Sequence, residues 1–219
     1  MTEFELKFEI PPARLKSVAS AVLEGKATRQ RLQASYFDSA DGALAAHGIV
    51  VRLRKEGRRW VQTAKGPTAD LQERLEHNVV LSNQSAGLAP PLDLSRHCNT
   101  PVGKMIDKAL EFKAAGNYPG MELLYGTDVQ RMTRLVSFNG SVVEVALDQG
   151  RVFAGGSAQS ISELEVELKE GLPLDAVALA RQWCASHGLW MSTIAKSMKG
   201  QRLRGEILFG DATSAVPPR

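Results

Sequence analysis

Glu3-Phe4-Glu5-Leu6-Lys7-Phe8-Glu9-Ile10 alternates a charged residue with a large apolar one, without a break. A period of two is the pleat of a β-strand. One face of this segment therefore carries Glu3, Glu5, Lys7 and Glu9, and the other Phe4, Leu6, Phe8 and Ile10. A single strand of this kind is most simply explained as half-buried, with its wet side in solvent. The reading depends on whether other strands repeat the pattern, and with which charges.

They do, and some repeat it with the opposite sign. Residues 49–55 and 60–65 flank Glu56-Gly57 as a hairpin, with Arg52 and Arg54 on one face and Val51 and Leu53 on the other. Lys65 closes the second arm before Gly66-Pro67. Residues 71–81 set Arg74, Glu76 and Asn78 against Leu75, Val79 and Leu81. Strands are predicted over 32–37, 122–125 and 128–138, the last carrying Arg131. Asn139-Gly140 then forms a two-residue hairpin turn into 141–147. That return strand opposes Val143, Val145 and Leu147 to Glu144, with Asp148 continuing the polar face, and Gln149-Gly150 is read as a turn into 151–154. Glu163-Leu164-Glu165-Val166-Glu167-Leu168-Lys169 is close to a chemical copy of the opening segment. Lys26, Arg29 and Arg31 read as a solvated basic connection, and 38–42 as a turn.

Between the strands the period changes to that of a helix. Leu15, Val18, Ala19, Val22 and Leu23 follow helical spacing up to Gly25. Thr100-Pro101 supplies a capping threonine and a first-turn proline for Val102, Met105, Ile106, Ala109 and Leu110. Residues 173–187 form a helix stopped by Gly188, and a short helix from Ser192 sets Lys196 and Lys199 on one side. Residues 82–99 read as a surface connection. The organisation is one domain over 1–204, then a disordered tail or linker over 205–219.

Composition narrows the function. The chain has 219 residues, of which 43% are hydrophobic and 23% charged, enough for a sizeable core. Its formal charge of +3 rules out a polyanion-coating field, so electrostatic function has to come from local arrangement. Cys98 and Cys184 are far apart, without CxxC spacing, and read as two reduced thiols, with a single disulfide between them as the alternative. With no apolar leader and no membrane-length run, the expectation is a cytoplasmic protein. His47, His77, His97 and His187 lack zinc-ligand spacing, and no glycine-rich phosphate loop precedes a helix. Nucleic acid is disfavoured as a partner because acidic strands interleave the basic ones and would repel its backbone. Oligomeric state is not legible.

Two architectures fit strands with one apolar and one charged face. In an open sheet the charges meet water; in a closed barrel with helices packed outside, the charges line the interior. The apolar stripes of the helices need an apolar partner, which favours the barrel. Even paired charges cost several kcal/mol to desolvate, so such a lumen has to hold water, ions or ligand. Clustered carboxylates suit a hard divalent cation, magnesium or manganese, and clustered Arg and Lys suit phosphate oxygens.

At this point the residues resemble a known family. Glu3-Phe4-Glu5-Leu6-Lys7 resembles the ExExK signature of the CYTH superfamily, the triphosphate tunnel metalloenzymes. The resemblance continues in order through Arg52-Leu53-Arg54, Thr63-Ala64-Lys65, Arg74-Leu75-Glu76, Thr127-Asp128 with Arg131, Glu144 to Gly150, Glu163 to Glu167, and Lys196. It implies an α+β fold, an eight-stranded antiparallel β-barrel forming a tunnel. It also implies metal-dependent hydrolysis of inorganic triphosphate to pyrophosphate and phosphate. Glu3, Glu5, Glu144, Asp148, Glu163, Glu165 and Glu167 would be the metal ligands. Lys7, Arg52, Arg54, Lys65, Arg74, Arg131 and Lys196 would hold the triphosphate, and Glu5, Lys65 and Glu76 would be the catalytic candidates. Within the superfamily the likeness is to bacterial inorganic triphosphatases that carry a further helical, histidine-rich domain. An adenylate cyclase of the same superfamily and a non-catalytic polyphosphate- or nucleotide-binding module remain open as alternatives.

Overall fold

The opening strand, β1 (Thr2–Glu9), turns its apolar side outward, where Leu6 and Phe8 are buried beneath helices. The computed structural model describes residues 2–69, 73–81, 88–111, 118–192, 194 and 196–205, without the side chains of residues 2, 3, 197 and 204. The other strands are β2 (Ala27–Ser39), β3 (Val50–Glu56), β4 (Arg59–Pro67), β5 (Glu73–Leu81), β6 (Met121–Phe138), β7 (Ser141–Ala154), β8 (Ser157–Glu170) and the short β9 (Trp190–Met191). They are joined in the order β5-β4-β3-β2-β6-β7-β8-β1, each pair antiparallel. β1 returns to β5 through Thr2 opposite Leu75, Glu3 opposite Arg74 and Phe4 opposite Glu73, which closes an eight-stranded barrel. β9 adds to β1 beyond that seam, with Met191 opposite Phe8.

Closure explains the alternation. The outer faces of β1, β6, β7 and β8 bury Leu6, Phe8, Met132, Val143, Val145, Leu147, Leu164 and Val166. Against them lie Val18 and Val22 of α1 (Leu15–Val22) and Ala176, Leu179, Ala180 and Trp183 of α4 (Pro173–His187). Each fully buried aliphatic side chain here contributes roughly 1.5–3 kcal/mol. On the opposite wall, Val51 of β3 and Ala64 of β4 pack under α2 (Ala43–Ala46) and α3 (Pro101–Ala109) through Leu44, Val102, Ile106 and Ala109. The Thr100 hydroxyl accepts from Gly103 N at 3.0 Å, as the sequence suggested, a cap that contributes about 1 kcal/mol. Among the described residues, no helix is long and apolar enough to cross a membrane.

Several boundaries differ from the sequence reading. Arg29 and Arg31 lie within β2 rather than in a solvated connection, exposed on the outer wall beside β6. The 38–42 turn leads into the short helix α2, because the Asp38 carboxylate accepts from Leu44 N and Ala45 N, both at 2.8 Å. β6 runs unbroken through residues 126 and 127. Gln149 and Gly150 are not a turn but the middle of β7. A Cβ on Gly150 would lie 2.1 Å from the Asp128 carbonyl oxygen, so glycine is there to let two strands approach closely. The start of the predicted 71–81 strand falls outside the described residues up to 72, and so does most of the tail.

A last helix, α5 (Lys196–Arg204), does not lie on the outside with the others. Gly200 meets the Tyr125 ring so closely that a Cβ there would stand 2.3 Å from it, and Leu203 packs against the cluster that holds Tyr36, Tyr125 and Val152. Those strand residues face inward. α5 therefore closes the barrel end that carries the Gly155-Gly156 turn, and the lumen opens toward the end carrying Asn139-Gly140.

A candidate anion and metal site in the barrel lumen

Residues directly opposite each other on neighbouring strands point to the same face, so register alone assembles the lumen. One row runs Glu9, Glu163, Asp148, Arg131 across β1, β8, β7 and β6; another runs Glu5, Glu167, Glu144. Lys7 lies opposite Glu165 between them. Across the barrel, Arg52 pairs with Tyr36 on one side and Thr63 on the other, and Lys65 pairs with Glu76.

The first row is saturated with cations. Arg131 grips Asp148 bidentately, Nε to Oδ1 at 2.7 Å and Nη2 to Oδ2 at 2.6 Å, and also pairs with Glu165. From α5, the Lys196 ammonium lies 2.6 Å from Glu165, 2.8 Å from Asp148 and 2.8 Å from Glu163; Lys199 lies 2.8 Å from both Glu9 and Glu163. Burial alone would make each of these groups harder to ionise, but the opposite charges prevail. Glu165 is held well below the usual carboxylate range by Arg131, Lys196 and Lys7, and Asp148 is lowered by Lys196 and Arg131. Arg131 and Lys196 are raised well above their ordinary values, chiefly by Glu165 and Asp148.

The second row behaves otherwise. Burial raises Glu167, and the like charges of Glu5 and Glu144 raise it further despite Lys169 at 2.7 Å. Carboxylates that repel one another across three adjacent strands form an all-oxygen, cation-poor donor set, which fits a hard divalent cation. Among the described residues, no three acidic or histidine side chains already converge as metal ligands. Glu5 leans on Lys7 at 3.3 Å, and Glu144 leans on Lys169 at 3.4 Å. The backbone of Glu3 pairs with Arg74; its side chain is outside the described residues.

The basic wall gathers on β3, β4 and β6. Arg54 is lowered first by its burial and then by the charges of Arg52 and Arg131, with Glu56 as the counter-charge. The Nε of Arg52 is shielded from solvent and has no hydrogen-bond partner among the described residues. Lys65 meets Glu76 at 3.0 Å, Asn78 donates to Glu76 at 2.8 Å, and Thr63 donates to Asn78 at 2.6 Å. Arg74 stands apart from this group, with one guanidinium nitrogen donating to the Gly48 carbonyl at 2.7 Å.

Four lumen residues lie outside the set that the sequence points to. Glu9 and Glu56 merely continue the period of two beyond Lys7 and Arg54, which is signal enough to find them. Lys199 reads as a surface lysine of a terminal helix, yet it is buried. Tyr36 gives no signal in a strand read only for its apolar content. An open depression of about 340 Å³ lined by Arg31, Asp128, Gln130, Gln149, Gly150 and Arg151 lies on the outer wall, away from this chemistry.

The family model for the CYTH domain matches residues 1–198. The inorganic triphosphatase of Haemophilus influenzae is 27% identical over 180 residues, 81% of this chain and 47% of that protein, so the chain spans about half the length of this relative. Solved structures share the fold at low identity. A putative adenylyl cyclase from Hippeastrum, described as having a dominant triphosphatase activity, matches with a TM-score of 0.58 at 15% identity, over 94% of this chain and 97% of that one. A putative adenylate cyclase from Bacillus halodurans matches with a TM-score of 0.56 at 15% identity, over 90% and 95%.

Proposed function

The chain belongs to the CYTH domain family, and from that premise we propose that it hydrolyses a linear inorganic triphosphate to pyrophosphate and phosphate within its lumen. The observation that carries this reading is the Arg52 guanidinium, whose buried Nε lacks a partner among the described residues, on a wall where Arg54 and Arg131 also crowd. Crowded, incompletely paired guanidiniums are stabilised by a polyanion with several oxygens.

Lys7, Arg52, Arg54, Lys65, Arg131 and Lys196 would neutralise and align the chain, and Arg74, opposite Glu3 at the β1–β5 seam, would add to them. Magnesium or manganese, held by Glu5, Glu144 and Glu167 with Glu3 and Glu165 beside them, would supply Lewis-acid polarisation of the phosphoryl oxygens. Asp148 and Glu163, engaged by Arg131, Lys196 and Lys199, fit better as residues that hold those cations in place. Glu76, tethered by Lys65 and Asn78, is the carboxylate we assign to orient the attacking water as the phosphoanhydride bond breaks in line. Tyr36 and Tyr125 stack on each other, centroids 4.5 Å apart, leaving their inner faces to one another rather than to an adenine. That favours the hydrolase over the cyclase.

The test is a panel of tripolyphosphate, thiamine triphosphate and nucleoside triphosphates with magnesium or manganese, scored for phosphate and for cyclic AMP. Phosphate from tripolyphosphate is expected. Cyclic AMP without phosphate release would replace this reading with the cyclase, and binding without turnover would replace it with a polyphosphate-binding module.

A further inference from the structure

Glu165-Val166-Glu167-Leu168-Lys169 repeats the charges of Glu3-Phe4-Glu5-Leu6-Lys7 position for position, and the two stretches lie side by side on antiparallel strands. Glu5 stands opposite Glu167 and Lys7 opposite Glu165, so both arms present their charges to the lumen. In each arm the lysine reaches back to the glutamate two residues before it, Lys7 to Glu5 at 3.3 Å and Lys169 to Glu167 at 2.7 Å. Only the first of these lysines has a part in the reaction proposed above.

The two lysines differ in their other partner. Lys7 lies 3.6 Å from Glu165, which Arg131 and Lys196 already hold. Lys169 lies 3.4 Å from Glu144 on β7. Among the described residues, Lys169 is the one ion-pair partner of both Glu144 and Glu167, the carboxylates that with Glu5 make up the cation-poor row. β8 ends one residue later, with Glu170 opposite Val142, so Lys169 stands at the open mouth with its side chain 36% exposed. Burial pulls its ammonium down, but Glu167 and Glu144 outweigh it and hold it above its ordinary value. An ammonium with three donors on a flexible four-carbon stem changes partners without any movement of the backbone.

Resting on the functional reading above, we propose that Lys169 is an exchangeable cation, which neutralises Glu144 and Glu167 in the metal-free protein, yields them to a divalent cation, and turns to the oxygens of the triphosphate entering at the mouth. The exchange follows from charge. A dication on the same carboxylates repels the ammonium, and a polyanion at the mouth offers acceptors for all three of its donors. Lys169 therefore opposes metal binding, and assists anion binding once metal is present. A lysine that merely ties β8 to β7 does neither.

Wild type, Lys169→Met and Lys169→Arg, each as the full chain and checked by thermal melts, separate these roles. Manganese is first titrated into each protein without phosphate, and the free ion is followed by electron paramagnetic resonance. Lys169→Met should bind manganese about three- to tenfold more tightly, the weight of a partly screened charge, and Lys169→Arg should match the wild type. The bis-methylene analogue of tripolyphosphate, whose P–C bonds resist hydrolysis, is then titrated by calorimetry with and without saturating magnesium. With magnesium the Kd of Lys169→Met should rise about tenfold, and without it by no more than about twofold, while Lys169→Arg stays near the wild type in both. Manganese affinity in Lys169→Met equal to or weaker than that of the wild type would overturn the exchange alone. So would an anion affinity that does not fall, or that falls as much without magnesium as with it. A wild type that fails to bind manganese or the analogue would overturn the exchange together with the functional reading.

Discussion

The ammonium of Lys199, on the last helix, lies 2.8 Å from a carboxylate oxygen of Glu163 in β8, and neither side chain has appreciable contact with solvent. The same carboxylate meets Lys196 one helical turn earlier, so α5 is fastened into the barrel by charge. Removing one partner of a buried pair costs several kcal/mol, softened here because the other lysine remains. Lys199→Met is expected to destabilise the protein by about 2 kcal/mol in urea unfolding. Hydrogen exchange over 196–205 should rise selectively. An unchanged exchange rate there would mean that α5 is held by its apolar contacts alone.

Gly200 offers the complementary test. A side chain at this position meets the Tyr125 ring, which is pinned by its stack on Tyr36. Gly200→Val should loosen α5 and make residues 196–205 sensitive to limited proteolysis. Gly120→Ala should not, since an added Cβ there meets no heavy atom within 4 Å. Equal protease resistance of Gly200→Val and the wild type would argue against the helix closing the barrel.

Much of this arrangement is legible because a barrel wall writes itself as a period of two. Glu3 to Glu9, Arg52 to Arg54 and Glu163 to Glu167 assign lumen and outer face residue by residue. What escapes lacks a period. Gly150 reads as a turn because a glycine at a close strand approach and a glycine at a turn look alike in sequence. Arg29 and Arg31 read as a loop because their wall carries no helix, and so neither face of that stretch is apolar. α5 hides for a related reason: its partners are mostly carboxylates and one tyrosine ring, so it shows no broad apolar stripe to mark it as buried. The split of the acidic residues into one saturated and one cation-poor row depends on where Lys196, Lys199 and Arg131 reach, which no spacing encodes.

His97 makes stability depend on pH. It is fully buried, accepts at Nε2 from the Gln62 amide and bonds His77 Nδ1 through its own Nδ1, both at 2.9 Å. Burial, then the charges of His77 and Arg96, lower it to about 4 from 6.5, with Asp93 opposing weakly. The unfolded chain thus binds the extra proton between those values. Stability is full above about pH 6.5 and falls as the pH drops toward 4, by on the order of 3 kcal/mol. Glu165, Asp148 and Glu56 have lowered values and lose their contribution only as the pH falls through the ordinary carboxylate range and below it, so the upper part of this window belongs to the histidine. Urea midpoints at pH 7, 6, 5 and 4.5 should show the fall, and His97→Gln should flatten it.

Glu56 tests the crowding of the basic wall. Burial pushes its carboxyl up, but Arg54, by charge and hydrogen bond, and Arg59 hold it below the usual range. Glu56→Gln leaves Arg54 beside Arg52 and Arg131 without its counter-charge, at an expected cost of about 1–2 kcal/mol. Tripolyphosphate should stabilise this variant more than the wild type, because the anion replaces the missing charge. Equal stabilisation of both proteins would place the anion elsewhere.

The central claim is that the lumen's basic wall aligns a triphosphate for hydrolysis, and phosphate release from tripolyphosphate with magnesium or manganese tests it most directly. Wild type should release phosphate. Arg52→Ala, with its cooperative unfolding intact, should lose at least about 100-fold in kcat/KM, close to 3 kcal/mol of transition-state stabilisation. A folded Arg52→Ala protein that turns over tripolyphosphate as fast as the wild type would contradict the account.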